Sequence, residues 1–218
     1  MFDYQNVKLV CISEPKVEGV KTIDEFIAYV ARVSNPGNQL NTETAPKLLN
    51  YLMRNKHWSP FEMVHICMEV KTTRDIGRQI LRHGSFKFQE FSQRYAQVTE
   101  STLREVRLQD SKNRQNSIET DDDNLGNLWM SYQDQVRIVS DSAYKWALEH
   151  GIAKEQARVV LPEGMTMSTL YMAGSLRSWI HYCQLRCSNG TQKEHQDIAL
   201  KAWDILKGWF PSLPPLEQ

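Results

Sequence analysis

Residues 63–72 read MVHICMEVKT, and their apolar and polar side chains alternate along the chain. The apolar side chains that share one face of this segment are Val64, Ile66, Met68 and Val70. Alternation of this kind is typical of a β-strand with one buried face, because successive side chains of an extended chain point to opposite sides. The segment therefore predicts a half-buried strand whose apolar side must be covered by other elements.

Most of the surrounding chain has helical periodicity. Thr22 precedes an apolar stripe and Glu25 follows three residues later, which is the capping-box pattern of a helix over residues 22–33. The longest periodic segment runs from Leu125 to His150. Other helices are predicted over residues 44–56, 154–160, 175–186 and 192–209, the last with Ile198, Ala202, Ile205 and Trp209 inward. Further strands are predicted over residues 7–13 and 165–172.

This order of elements predicts the fold class. Long helices, a few strands and no regular strand–helix–strand repetition indicate an α+β fold, with long helices packed on a small mixed or antiparallel sheet. A chain of 218 residues is large enough to form its own core. No repeat or linker divides the sequence, so a single domain over residues 1–218 is expected.

Composition excludes several classes of partner. Lysine plus arginine and aspartate plus glutamate each number 26, so no net charge favours a nucleic-acid partner. The four cysteines form no C-x-x-C pair and are interpreted as reduced thiols of a cytoplasmic protein. No segment approaches the ~18 apolar residues of a membrane span, and the N-terminus lacks an export signal.

Residues 79–95 read QILRHGSFKFQEFSQRY and interleave charged with aromatic side chains. The charged and imidazole side chains are Arg82, His83, Lys87, Glu90 and Arg94, and the phenylalanines are Phe86, Phe88 and Phe91. The segment ends in a predicted loop over residues 92–94, where backbone N–H groups and an arginine suit a phosphate.

Two interpretations of this segment are open. A charged helix end followed by an exposed edge strand would be ordinary protein surface. A pocket wall for an anionic, aromatic ligand also accounts for the aromatic residues, because guanidinium groups suit phosphate and pyrimidine oxygens. A helix entering from Asp75 would place on one face Gln79, Arg82 and His83. Gly84 is then expected to end that helix as a C-terminal cap, and this spacing favours the pocket.

Several common catalytic patterns are missing from the sequence. There is no G-x-G-x-x-G, no Walker phosphate loop and no zinc-ligand spacing, and no metal site is expected. The acidic residues 121–123 suit either a helix N-terminus or a metal site, and their position before the longest helix favours the first. Ser85 and Ser92 are candidate nucleophiles, but the sequence fixes no base beside either of them.

The segments Arg82-His83-Gly84 and 89–95 (QEFSQRY) resemble the signature of flavin-dependent thymidylate synthases, roughly R-H-R, then an amide, then E-x-S-x-R-Y. The resemblance covers about residues 30–190. It includes in order and spacing residues 31–34 (ARVS), 57–62 (HWSPFE), Gln79, 157–162 (ARVVLP) and 177–186 (RSWIHYCQLR). Several distant matches in register are more specific than one short pattern.

The resemblance implies an FAD-dependent methyltransferase that converts dUMP to dTMP. Such enzymes use 5,10-methylenetetrahydrofolate as one-carbon donor and NADPH as reductant, and they are homotetramers with active sites at subunit interfaces. By the same resemblance Arg186 is the catalytic residue. It would lie against the uracil edge and stabilise the N3-deprotonated pyrimidine, so that C5 attacks the donor without an enzyme nucleophile.

Ligand contacts follow by position from the resemblance. Those to dUMP are Gln79, Arg82, Glu90, Ser92, Gln93, Arg94, Arg158 and Arg186, with Arg94 and Arg158 at the phosphate. Those to FAD are Ser59, Arg82, His83, Gly84, Glu90, Ser175, Arg177 and His181, with His57 near the flavin ring. Arg177 and His181 share a helix face. Arg186 lies nine positions past Arg177, half a turn around the helix axis, so we expect each site to combine subunits.

The sequence departs from the family signature at three positions. Gly84 replaces the second arginine of R-H-R, Lys87 stands in place of the usual serine, and Gln89 replaces an asparagine. A missing guanidinium would weaken cofactor binding by about 1.5–3 kcal/mol, and our hypothesis is that Lys87 restores part of that charge. Two alternatives remain open: a related flavin- and folate-dependent hydroxymethylase of deoxypyrimidine nucleotides, and a non-catalytic nucleotide-binding homologue.

Overall fold

The strand predicted at residues 63–72 is an inner strand of a four-stranded sheet in the computed structural model, which describes residues 4–216. This strand, β2 (His65–Thr73), pairs with β1 (Asn6–Ile12) on one side and with β6 (Met167–Ser175) on the other. Strand β3 (Lys87–Glu90) pairs with β6 and forms the opposite edge. Every neighbouring pair is antiparallel, so the antiparallel version of the predicted sheet is confirmed.

Helices cover one face of this sheet. The residues predicted to point inward in segment 63–72 are almost fully buried, at 2% exposure or less for Val64, Ile66, Met68 and Val70. The helices that contribute to the same core are α1 (Ile23–Ala31), α2 (Ala45–Arg54), α3 (Arg74–Ile80), α6 (Leu176–Arg186) and α7 (Lys193–Trp209). The buried indole of Trp179 donates its N–H to the Ile66 carbonyl at 3.2 Å, which fastens α6 to β2. The predicted α+β class is confirmed.

The remaining elements connect these layers. They are the helices α4 (Asp123–Glu149) and α5 (Lys154–Ala157), the short 3-10 turns Pro36–Asn38, Ser59–Met63 and Arg158–Val160, and a hairpin of β4 (Arg107–Gln109) with β5 (Ser117–Glu119). Within residues 4–216 no helix combines the length and apolar character needed to cross a membrane.

Two helix N-termini begin as the sequence predicts. Thr22 caps α1, accepting from the Glu25 N–H at 3.2 Å, and the Glu25 carboxylate accepts the Thr22 N–H in return. Asp122 caps α4 by accepting from the Leu125 N–H at 2.9 Å. The acidic residues therefore belong to a helix N-terminus, and no group of metal-binding side chains occurs among the described residues.

The predicted end of the α3 helix is wrong. The helix ends at Ile80 with Leu81 as its cap, and Gly84 lies in the turn that follows, outside the left-handed region. Phe86 explains the early end, because this buried ring packs against Trp179 at 4.9 Å between ring centroids. It also covers Gly174 so closely that a Cβ there would lie 2.6 Å from the ring. The chain must leave the helix to reach that position.

The inward position predicted for Trp209 is also wrong. Trp209 is 51% exposed, whereas Trp203 and Leu206 are buried on the sheet side of α7. The helix ends at Trp209, and the next residue, Phe210, fills the core with 1% exposure. A side chain outside the helix therefore takes the place that helical periodicity gives to Trp209.

Candidate active site

Arg186 and His83 meet at the C-terminal end of α6. Arg186 is the last residue of that helix, and its Nε–H donates to His83 Nε2 at 3.0 Å. The His83 ring stands edge-on to Tyr182, with 4.9 Å between ring centroids, and lies 6.1 Å from the ring of His195. Two segments that are about 100 residues apart in the sequence therefore form one group, the Arg186 cluster.

The environment of His83 keeps its imidazole neutral. Burial first, and then the charges of Arg186 and Arg82, lower the pKa of His83 to about 4. A neutral ring with Nε2 as acceptor carries its proton on Nδ1. The contact uses only Nε of Arg186, so the two terminal amino groups of the guanidinium keep their donors for a ligand.

Gln79 joins the same cluster. Its Oε1 lies 3.3 Å from His195 Nδ1, and its Nε2 donates to Gln192 Oε1 at 2.7 Å. Gln79, His83 and Arg186, all predicted ligand contacts, are thus brought together. Arg82 is exposed beside them.

A second group, the Arg94 cluster, forms where the loop after β3 meets α5. Arg94 pairs with Glu155 of α5 at 3.2 Å, and Lys154 donates to the Tyr95 carbonyl at 3.2 Å. Arg158 directly follows α5 in a 3-10 turn. The loop that carries Ser92 therefore contacts the helix that directly precedes Arg158.

Glu90 and Gln93 lie on the same segment, Glu90 at the end of β3 and Gln93 in the loop that follows it. Glu90 accepts from Arg74 at 3.3 Å and from the Ser168 hydroxyl at 3.0 Å, so much of its hydrogen-bonding capacity is used within the protein. Gln93 is 4% exposed, and its amide nitrogen has no hydrogen-bond partner. A buried unpaired donor costs about 1–3 kcal/mol, which a ligand oxygen would offset.

A third group, the Arg177 cluster, lies at the start of α6. Ser175 caps the helix by accepting from the Ser178 N–H at 3.2 Å, and Arg177 pairs with Glu62 at 2.7 Å. His181 stands edge-on to Trp58, with 4.8 Å between ring centroids. Ser59 begins the adjacent 3-10 turn, and the exposed ring of His57 lies 6.0 Å from that of Tyr51.

Charges in the Arg177 cluster are balanced by short contacts. Burial alone would raise the pKa of Glu62, but hydrogen bonds from Ser175 and Arg177 outweigh it and lower the pKa. Burial, followed by the charge of Arg177, lowers the pKa of His181. The cluster therefore combines an ionised carboxylate with a cation and an imidazole that favours its neutral form.

A cavity of about 990 Å³ adjoins this cluster. Trp58 and His181 line it, together with the cations Lys47, Arg54 and Lys56. Cations next to aromatic rings suit a cofactor with a pyrophosphate and planar rings, so this lining fits FAD. Arg94, Arg158 and Arg186 are not part of the cavity lining.

The three clusters remain separate in one protomer. Among residues 4–216 no hydrogen bond, ion pair or ring contact joins a predicted ligand contact of one cluster to one of another. Arg177 and Arg186 stand at opposite ends of α6, about 14 Å apart along the axis. His83 and Gly84, predicted as FAD contacts, lie at the Arg186 end and not beside Arg177.

The sequence patterns did not predict several polar residues of the site. Arg74, Tyr182 and His195 are buried or nearly so and contact predicted ligand residues. The signal that could have found His195 is its position on α7, where it interrupts the apolar face that carries Ile198 and Ala199. A buried polar side chain on such a face needs a partner.

Comparison with known proteins decides the family. The family model described as Thymidylate synthase complementing protein matches residues 17–212. The chain belongs to this family. Its curated relatives include the probable flavin-dependent thymidylate synthase of Paramecium bursaria Chlorella virus 1, 51% identical over 209 residues, which are 95% of this chain and 96% of that protein. The flavin-dependent thymidylate synthase of Synechocystis sp. is 47% identical over 95% of this chain and 97% of its own length.

Solved structures give the same family fold. A UMP/dUMP methylase, PolB from Streptomyces cacaoi, bound with 5-Br dUMP, superposes with a TM-score of 0.81 at 27% identity. The match covers 95% of this chain and 92% of the methylase. The same methylase bound with 5-Br UMP gives a TM-score of 0.79 at 26% identity. The family resemblance expected from residues 82–95 is therefore confirmed.

Proposed function

We propose that this chain is a flavin-dependent thymidylate synthase that converts dUMP to dTMP. Family membership and relatives of that name at 47% and 51% identity support the reaction. We further propose 5,10-methylenetetrahydrofolate as the one-carbon donor, NADPH as the reductant, and a cytoplasmic enzyme that acts as one domain. The observation that carries the proposal is the Arg186–His83 contact, which holds a guanidinium in place without neutralising it.

Arg186 acts on the pyrimidine in this proposal. Its free amino groups face the uracil edge and stabilise the negative charge that forms when N3 loses its proton. The charge raises electron density at C5, which then attacks the one-carbon donor. A guanidinium that is already oriented stabilises such charge without reorganisation, and one donor of this kind is typically worth about 10²–10³ in turnover.

No enzyme nucleophile is needed on this route. Among the described residues neither Ser85 nor Ser92 exchanges a hydrogen bond with a histidine or a carboxylate, so no base activates either hydroxyl. Arg94 and Arg158 would bind the phosphate with Ser92 and Gln93, and phosphate would replace Glu155 as the partner of Arg94.

FAD would be held by the Arg177 cluster, with Ser59, Ser175, Arg177, His181 and His57 on one protomer. Arg82, His83, Gly84 and Glu90 would reach it from another. When bound, FAD supplies the reducing equivalents that turn the transferred carbon into a methyl group. The chain's own residues orient the pyrimidine and the cofactor and exclude water between them.

We propose a homotetramer with active sites between subunits. The apolar stripe of α4 supports assembly, because large side chains on it are exposed in the protomer. The most exposed of them are Leu128 at 57%, Tyr132 at 62%, Val139 at 69% and Trp146 at 55%. A stripe of this length on a long helix is typical of an interface. Contact between copies would bury it and bring the separate clusters together.

Product analysis tests the proposal. Purified protein should carry bound flavin, visible in its absorption spectrum, and should form dTMP from dUMP, methylenetetrahydrofolate and NADPH. Arg186→Ala should reduce turnover by about 10²-fold or more while the circular dichroism spectrum is unchanged. A hydroxymethyl product would identify the hydroxymethylase instead, and colourless protein without turnover would refute the enzymatic function.

A further inference from the structure

A chain of hydrogen bonds crosses the protein interior behind the Arg186 cluster. In spatial order its members are Tyr182, His195, Gln79, Gln192, Glu194 and Arg107. Tyr182 and His195 are almost fully buried, at 2% and 0% exposure. The chain links the end of α6, the end of α3 and the start of α7 to strand β4 of the hairpin. Apart from Gln79, none of its members is among the predicted ligand contacts.

The charged end of this chain sets the direction of its amide bonds. Glu194 is a carboxylate, paired with Arg107, and can only accept. Gln192 must therefore turn its amino group toward Glu194, at 2.9 Å from Nε2 to Oε2. Its carbonyl oxygen is then left to accept from Gln79 Nε2 at 2.7 Å. The Gln79 carbonyl oxygen must consequently face His195.

The direction continues through the imidazole. Because Gln79 Oε1 accepts, the 3.3 Å contact to His195 requires a proton on Nδ1. His195 Nε2 then has a lone pair and accepts from the Tyr182 hydroxyl at 3.1 Å. Burial raises the pKa of Tyr182 well above its ordinary value, so its hydroxyl stays protonated. Burial, with the nearby charges of Arg186 and Arg82 and the ring of His83, lowers the pKa of His195 to about 3.

We propose that His195 is a positioning residue that fixes the amide of Gln79 for the pyrimidine nucleotide. The two ends of a glutamine amide are nearly equal in size, and without a fixed partner either end can face a ligand. With His195 on its oxygen and Gln192 on its nitrogen, Gln79 has one N–H and one lone pair left, in one orientation. The inference rests on the proposed role of Gln79 as a dUMP contact.

Three variants test the orientation of Gln79. Gln79→Leu sets the scale, and it should weaken dUMP binding about tenfold through the loss of one hydrogen-bonding group. His195→Phe keeps a ring but leaves the Gln79 oxygen unpaired, and it should reproduce most of that loss. His195→Asn returns an amide N–H near the place of Nδ1–H, and it should recover binding to within about threefold of the parent. Calorimetric titration of the FAD-loaded enzyme with dUMP gives each dissociation constant.

A double variant distinguishes a positioning role of His195 from a general effect on packing. Gln79→Leu combined with His195→Phe should bind dUMP no worse than Gln79→Leu alone, because both changes remove the same oriented amide. The FAD content of the three variants should stay at the parent value. Additive losses, or a His195→Asn variant as weak as His195→Phe, would overturn the positioning role.

The outcomes also separate this inference from the proposed function. If Gln79→Leu binds dUMP like the parent, the assignment of Gln79 is wrong and the positioning role falls with it. If Gln79→Leu is weakened and His195→Phe is not, only the positioning role is overturned. Nitrogen NMR of the parent enzyme covers the case of a variant that does not fold. We expect a His195 signal with Nδ1 protonated, and the opposite tautomer would overturn the inference.

Discussion

The two ends of α6 differ in what they bring together. At its start, Arg177 pairs with Glu62 beside His181 and a cavity of about 990 Å³. At its end, Arg186 donates to His83, whose ring stands edge-on to the buried rings of Tyr182 and His195. We propose that the first end holds the cofactor and the second end holds the nucleotide.

This difference underlies our proposal that each active site combines several copies of the chain. A flavin and a pyrimidine must touch to react, but about 14 Å of helix separates the groups proposed to hold them. In the proposed assembly the two ends of one site come from different copies of the chain. The exposed stripe of α4 provides the surface on which such copies can meet.

The most severe test places a charge on that stripe. Val139→Glu should dissociate the assembly and abolish turnover, because a carboxylate would be buried without a partner in the interface. Analytical ultracentrifugation and the dTMP assay measure both effects. Lys145→Glu, also on α4 but off the stripe, is the matched control. An intact, active Val139→Glu assembly would refute the role of this surface.

Mixing two inactive variants tests the shared site directly. Arg177→Ala and Arg186→Ala should each be nearly inactive, since each lacks one half of every site. When the two are co-expressed with different tags, up to about a quarter of the sites in mixed assemblies should contain both arginines. Turnover of the doubly purified assembly is the measurement. No recovery would place both arginines of a site on the same protomer.

Changing the charge at Gly84 or Lys87, where the sequence differs from the family signature, should have a smaller effect, on the affinity for FAD. Lys87→Ala should weaken FAD binding roughly tenfold if the lysine replaces part of a missing guanidinium. Gly84→Arg should strengthen it, because a Cβ at Gly84 meets no atom within 4 Å and the backbone there is not left-handed. Flavin fluorescence during titration gives both dissociation constants. Equal affinity in Lys87→Ala would reject the charge hypothesis.

The smallest expected effect is on the pH dependence of stability. The pKa values of His83 and His195, about 4 and about 3, lie below the unfolded value, so the unfolded chain binds more protons below about pH 6.5. Their contribution is complete above that pH and decreases as the pH falls toward 4. His195→Asn should reduce the slope by about one proton, measured by urea unfolding from about pH 7 to about pH 5 at one protein concentration. Identical slopes would contradict the low pKa of His195.

Local sequence patterns predicted most helices and strands. They failed where contacts with residues distant in the sequence determine the end of a helix or the burial of a side chain. The capping box at Thr22 and the alternation in β2 depend on neighbours within a few residues, and both are confirmed. The end of α3 depends on Phe86 reaching β6, and the exposure of Trp209 depends on Phe210. Neither interaction produces a period in the sequence.

The candidate site follows the same division. The family signature named Arg186, His83 and Gln79 by position, and the structure brings these three together. It gave no sign of Glu194 or Arg107, which lie 87 positions apart and pair in space. Arg107 lies on β4 of the hairpin, an element that the sequence patterns did not predict.

Phe86 packs closely against Gly174 of strand β6, and this contact fixes the position of the loop that carries His83. One methyl group added at Gly174 would meet the ring at 2.6 Å and push it out of the core. His83 lies three residues before Phe86, so the guanidinium that it orients would shift as well. The position of Arg186 therefore depends on a glycine that is not among the predicted ligand contacts.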